Sequence, residues 1–139
     1  MRTKPDYYYD QSAVIPYRMR DGHIQVLAVT SRRGKRWVIP KGVREQAMTP
    51  AASAAKEARE EAGIEGEVAS TALGRYQYDK WGGTCTVEVY PLRVTHELES
   101  WEEEFRRREW VSLETAIERM REPGLREILQ MLPAFIAPA

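Results

Sequence analysis

The sequence predicts one α+β domain, a mixed sheet with a central helix near residues 50–62 and further helices toward the C-terminus. Three observations carry that expectation. Residues 50–62, PAASAAKEAREEA, have helical composition between a capping threonine and a glycine. Alternating apolar runs of strand length lie on both sides of them. The chain of 139 residues is the size of one domain with its own core.

Residues 11–17 read as the first strand, and Asp21-Gly22 is a hairpin signal, because a type I′ turn needs two residues that tolerate positive φ. Ile24, Val26 and Ala28 alternate in the returning strand, 24–30. A basic loop, 31–36, precedes a short strand, 37–39, which Pro40 stops. The period then changes. Thr49 is a good N-cap, Pro50 suits the first helical position, and Ala51, Ala52, Ala54, Ala55 and Ala58 favour helix until Gly63 closes it. Residues 65–78 read as one extended, bent segment with Gly74 as a bulge, 79–83 as a turn and 84–95 as a long strand. A charged surface loop spans 97–108. A strand at 109–111 leads to a helix capped by Ser112 and ending near 120, and Pro123-Gly124 introduces a last helix to about 132. The organisation expected is an arm at 1–10, a domain at 11–132 and a loosely held tail at 133–139. The Tyr7-Tyr8-Tyr9 run suits packing of the arm against the domain or a second subunit.

Composition narrows the function. The formal net charge is zero, from 21 basic and 21 acidic side chains, which disfavours a dedicated nucleic-acid binder. Cys85 is the only cysteine, so no internal disulfide or thiolate cluster is expected, and its alternating surroundings make it a small core residue. No apolar run approaches the roughly 20 residues of a membrane helix, and the polar, tyrosine-rich start is unlike a signal peptide. A cytoplasmic monomer or homodimer without a membrane association is the expectation. His23 and His96 have no partners at metal-ligand spacing.

The helix carries the chemistry. Glu57, Glu60 and Glu61 are three and four residues apart, so they share one face. A carboxylate cluster suits a hard divalent cation, which prefers oxygen ligands and completes its shell with substrate phosphate. The same spacing is also common on solvated helix faces.

The run from Gly42 to Ile64 resembles the Nudix box: a glycine, five residues, a glutamate, seven residues, then Arg-Glu-aliphatic-any-Glu-Glu-any-Gly-aliphatic. Gly42, Glu57, Glu60, Glu61, Gly63 and Ile64 fall on their positions. Met48 stands in place of the first glutamate and Lys56 in place of the bracing arginine. The resemblance implies a Nudix-type α/β/α sandwich and a hydrolase of phosphoric anhydrides. It implies magnesium, with manganese as a possible substitute, held by Glu57, Glu60, Glu61 and the Gly42 carbonyl. Lys56 would brace the carboxylates, keeping the charge of arginine but not its planar fork. The general base stays open between a box glutamate and Glu102, Glu103 or Glu104.

Trp37-Val38-Ile39-Pro40-Lys41-Gly42, Leu98-Glu99-Ser100-Trp101-Glu102-Glu103 and Arg106-Arg107-Arg108-Glu109-Trp110 resemble segments of diphosphoinositol polyphosphate and diadenosine polyphosphate hydrolases. That resemblance makes Arg32, Lys41, Arg106, Arg107 and Arg108 the phosphate-contact candidates for a small polyphosphate substrate. Gln11 and the turn Trp81-Gly82-Gly83-Thr84 replace more basic positions of the inositol enzymes. Tyr76, Tyr78 and Trp81 offer rings for a nucleobase. A dinucleoside polyphosphate or nucleoside diphosphate-linked substrate therefore ranks first, an inositol pyrophosphate second, and a non-catalytic ligand-binding domain third.

Overall fold

In the computed structural model, which describes residues 1–137, the hairpin signal is realised first. β1 (Asp10–Arg20) turns at Asp21 and Gly22, whose φ values of 52° and 78° are the two positive ones a type I′ turn requires, into β2 (His23–Thr30). β3 (Trp37–Val38) pairs with β2, and β4 (Lys41–Val43) pairs with β1. Helix α1 (Pro50–Ala62) follows, then β5 (Ile64–Val68), β6 (Gly74–Lys80), β7 (Gly83–Glu97) and β8 (Arg108–Ser112). Three short helices end the described chain: α2 (Leu113–Arg119), α3 (Pro123–Leu129) and α4 (Leu132–Ile136).

The sheet is mixed because β1 runs parallel to β7 and antiparallel to β2 and β4. Strand alternation divides its side chains between two layers. Ala13, Ile15, Val26, Ala28, Val87 and Val89 face α2 and α3, whose Ala116, Leu125, Ile128 and Leu129 close that core. Val14, Leu27, Val29, Tyr90 and Leu92 face α1, which meets them with Ala51, Ala54, Ala58 and Ala62. Alanines let the helix axis approach the strands closely, and this places its carboxylates beside β4. The result is the α/β/α sandwich expected.

Several elements differ from the sequence reading. Pro40 does not end pairing. Its carbonyl accepts a bond from Val14 N–H at 3.1 Å, and the strand resumes at Lys41. The segment read as one bent strand is β5 and β6, both antiparallel to β7, interrupted at 69–73. Gly74 is a packing glycine, since a Cβ there would lie 2.9 Å from Ile128 Cγ1. The arm at 1–10 belongs to the domain. Tyr9 is buried, and its hydroxyl and the Thr3 N–H both donate to the Trp81 carbonyl, while Tyr8 and Tyr9 pack edge-on to Trp81. The segment read as a tail contains α4, whose Ile136 packs on the core; its residues 138–139 lie outside the described residues.

Candidate active site

Helix α1 starts and stops where its termini require. The Thr49 side chain accepts from Ala52 N–H at 3.1 Å, and Gly63, at φ 64°, donates its N–H to Arg59 O at 3.1 Å. With the alanines turned to the sheet, Glu57 and Glu61 meet strand β4. Lys41 N–H donates to Glu61 Oε1 at 3.3 Å. Gly42 makes room for Glu57, because a Cβ on it would stand 2.4 Å from the Glu57 carboxyl carbon.

Glu57 and Glu61, one helical turn apart, both lie against β4. Burial, then the neighbouring Glu57, pushes the Glu61 carboxyl up to about 9; burial also raises Glu57. Two adjoining carboxylates in a desolvated place retain a proton unless a cation replaces it. Glu60 is turned the other way, onto Lys56 Nζ at 2.9 Å, and Lys56 reaches Glu45 at 2.8 Å. Those two bonds raise the Lys56 pKa. Among the described residues no three Asp, Glu, His or Cys side chains converge as a cation cage. The pair Glu57–Glu61 nevertheless fits a divalent ion in its donor chemistry. Next to it, Ser12 Oγ is buried without a hydrogen-bond partner, in a residue directly opposite Gly42 in register.

A cavity of about 640 Å³ opens beside Glu61. Arg32, Arg33, Lys35 and Arg36 line it from the β2–β3 loop, and Lys41, Lys80, Arg106 and Arg121 complete eight cations against one carboxylate, Glu61. No aromatic ring is in that lining. Lys41 is half-buried, the least exposed of these cations after Arg106. Burial, then the charge of Lys80, lowers the Lys41 ammonium to about 8, and it donates to Tyr78 OH at 2.8 Å. A second cleft of about 250 Å³ continues past Arg36, Lys80 and Arg121.

The box resemblance implied three glutamates at one metal; the structure brings two of them, Glu57 and Glu61, against Gly42 beside a basic cavity. A family model, the NUDIX domain, matches residues 9–132. The chain belongs to the Nudix family. It is 37% identical over 129 residues to Nudix hydrolase 21, chloroplastic, of Arabidopsis thaliana, covering 88% of this chain and 63% of that protein. It is 32% identical over 133 residues to diphosphoinositol polyphosphate phosphohydrolase 3-beta of Bos taurus, covering 92% of this chain and 80% of that one. In fold it resembles an Ap4A hydrolase of C. elegans, with a TM-score of 0.75 at 20% identity over 92% of this chain and 98% of that one. Among the described residues no helix is long and apolar enough to cross a membrane.

Of the Nudix-box residues, Gly42, Glu57 and Glu61 come together, while Glu60 stands aside with Lys56. Of the five phosphate-contact candidates, Arg32, Lys41 and Arg106 reach the cavity. Arg106 is itself buried, bound twice to Glu103 Oε1 at 3.0 and 2.9 Å and to Thr30 O at 2.9 Å. Arg107 and Arg108 are corrections. Arg107 lies over the Trp37 ring, and Arg108 donates to Ala62 O and Gly63 O at the end of α1, so neither lines the cavity. Arg106 sits in the bend before β8 and Arg108 in its first position, so three like charges in a row went to three different places.

Two of the three stacking rings are corrections: Tyr76 is buried in the core and Trp81 packs on the arm, while Tyr78, bound to Lys41, lines the second cleft. Arg33, Lys35, Arg36, Lys80 and Arg121 were missed as contacts. The basic loop was visible as a loop, whereas nothing local marks Lys80 or Arg121. Of Glu102, Glu103 and Glu104, only Glu103 is partly buried, paired with Arg106 and, at 3.6 Å, with Arg32.

Proposed function

We propose that this domain is a magnesium-dependent pyrophosphohydrolase, with manganese as a substitute metal, acting on a small, densely phosphorylated ligand. A diphosphoinositol polyphosphate is favoured over a dinucleoside polyphosphate, reversing the order drawn from sequence. The observation that carries this is the cavity: eight cations and one carboxylate, with no aromatic ring in its own lining. The 32% identity to a protein named for that class supports it. The relative Nudix hydrolase 21 is longer, this chain spanning 63% of it, so activity and substrate are proposals for this domain.

Glu57, Glu61 and the Gly42 carbonyl would hold the metal, with Glu60 at hand once released from Lys56. When bound, a divalent ion neutralises phosphoryl oxygens and lowers the pKa of the attacking water. The rest falls to the chain. Lys41 and Arg106, the most buried cations of the wall, orient the reacting phosphates beside Glu61. Arg32, Arg33 and Arg36 grip the others through charge-assisted bonds. Glu103 is engaged by Arg106, and Glu102 and Glu104 are exposed outside the cavity lining, which favours a box carboxylate to take the proton of water.

One observation favours the dinucleoside reading: Phe105 is exposed between Arg32 and Arg106, each 5.8 Å from its ring, where a base could rest. Turnover of a diphosphoinositol polyphosphate, a dinucleoside tetraphosphate and an ADP-sugar, each with magnesium, decides. The highest kcat/KM is expected on the inositol compound. A preference for the dinucleoside overturns the substrate choice, and no product from any member makes this a binding module. A cytoplasmic setting belongs to the same proposal, and fractionation of a native extract tests it.

A further inference from the structure

A helix ends in carbonyls that no residue of its own can satisfy. At the end of α1 these carbonyls are taken by one segment, 98–108, between β7 and β8. Glu103 N–H donates to Glu60 O at 2.9 Å, and the Trp101 indole N–H donates to Glu61 O at 3.1 Å. One Arg108 nitrogen donates to Ala62 O and Gly63 O at 2.9 and 3.0 Å, and Leu98 N–H also donates to Gly63 O at 2.8 Å. The other arm of Arg108 closes the segment on itself through Leu98 O at 2.7 Å, with the guanidinium 4.1 Å from the Trp101 ring centre. The family glycine at this point has two duties. Gly63 needs its φ of 64°, and a Cβ on it would stand 2.6 Å from Trp101 Cδ2 and 2.8 Å from Arg108 Nη1.

Capping alone does not require this. An exposed helix end is satisfied by water, and a single cation near it suffices for the helix dipole. Here the gripped carbonyls include those of Glu60 and Glu61, and the Glu61 side chain is the carboxylate that faces the cavity. The same segment carries Arg106 into the cavity and, through Glu103, meets Arg32. We infer that Trp101 and Arg108 are positioning residues: they fix the rotation of the last turn of α1 and thereby the placement of Glu61 against β4 and of Glu60 beside Lys56. This rests on the proposed role of those carboxylates. The leverage is large. Side chains lie about 5–6 Å from a helix axis, so a turn of about 10° displaces them by about 1 Å. A misplacement of about 1 Å can lower turnover by about 10²-fold.

The test uses Trp101→Phe, which keeps the ring beside Arg108 and deletes one donor, and Arg108→Lys, which keeps the charge and deletes the fork. Two quantities are read in each: Mn²⁺ affinity of the metal-free protein by calorimetry, without substrate, and kcat and KM on the best substrate of the panel. Expected are weaker Mn²⁺ binding and a kcat reduced about tenfold per variant, with KM nearly unchanged and melting lowered by only a few degrees. A merely structural clamp would lower the melting temperature and leave kcat per folded molecule and Mn²⁺ affinity as they were; that result overturns the inference. Glu61→Gln is the reference. If it loses Mn²⁺ binding and turnover while both clamp variants keep them, only the inference fails. If Glu61→Gln also keeps both, the metal site itself is wrong and the inference falls with it.

Discussion

The two walls of the site are built in opposite ways. The acidic wall is a single helix, capped at both ends, laid on the sheet by alanines, with Glu61 only 6% exposed. The basic wall is assembled from the β2–β3 loop, β4, β6, and the segments before β8 and after α2, and its Arg32 side chain is 72% exposed. Burial decides what each can do. Desolvation makes the carboxylates sensitive to one another and to any cation, whereas exposed arginines are screened by solvent and act mainly by number. Chemistry is thus assigned to the rigid wall and affinity to the adaptable one, and mutations should separate them.

The largest effect is expected from Glu61→Gln. It keeps the shape and deletes a buried charge, so kcat should fall by about 10²–10³-fold, several kcal/mol at tenfold per about 1.4 kcal/mol. The same variant should stabilise the metal-free protein at neutral pH. Glu61 ionises near 4.5 when unfolded and at about 9 when folded, so the folded state binds more protons between those values. Stability is therefore fully present below 4.5 and is lost as pH rises toward 9. Melting scans with chelator across that range should show the slope in the wild type and a shallower one in the variant.

Next is Gly42→Ala. Its Cβ would sit 2.4 Å from the Glu57 carboxylate, the mobile end of a side chain, so the fold should hold while Glu57 is displaced. A kcat lower by about 10–10²-fold, at near-normal melting temperature, is expected. On the other wall, Arg32→Ala and Arg36→Ala should raise KM a few-fold with modest change in kcat, more so on ligands with more phosphates. Equal, negligible changes on all three panel substrates would remove these residues from the site. The smallest effect belongs to Lys56→Arg. Lys56 already joins Glu45 and Glu60, and a planar fork should hold both as well, keeping kcat within about twofold. A large loss would show that the local geometry is fitted to lysine.

The contrast between the walls also explains what the sequence disclosed. Most of what positions Glu57 and Glu61 lies between Gly42 and Ile64, namely cap, proline, alanine face, closing glycine and the glycine cradle; the clamp from Trp101 and Arg108 does not. Local rules sufficed there. The basic wall is a product of topology. Lys80 reaches the cavity because β6 pairs with β7, and Arg121 because α2 crosses the opposite layer, neither of which a short motif records. Arg108 was misread for a related reason: its charge suggested phosphate, while its partners are carbonyls more than forty residues away. β4 was missed because proline's lack of a donor drew attention from its carbonyl, which Val14 uses.

The most direct measurement is phosphate release from a diphosphoinositol polyphosphate by the purified protein with magnesium, for wild type, Glu61→Gln and Arg36→Ala. If the acidic wall performs the chemistry and the basic wall the binding, wild type turns over, Glu61→Gln loses kcat at unchanged KM, and Arg36→Ala raises KM at nearly unchanged kcat. Wild-type rates from Glu61→Gln, or the same kcat loss in both variants with KM unmoved, would contradict that division.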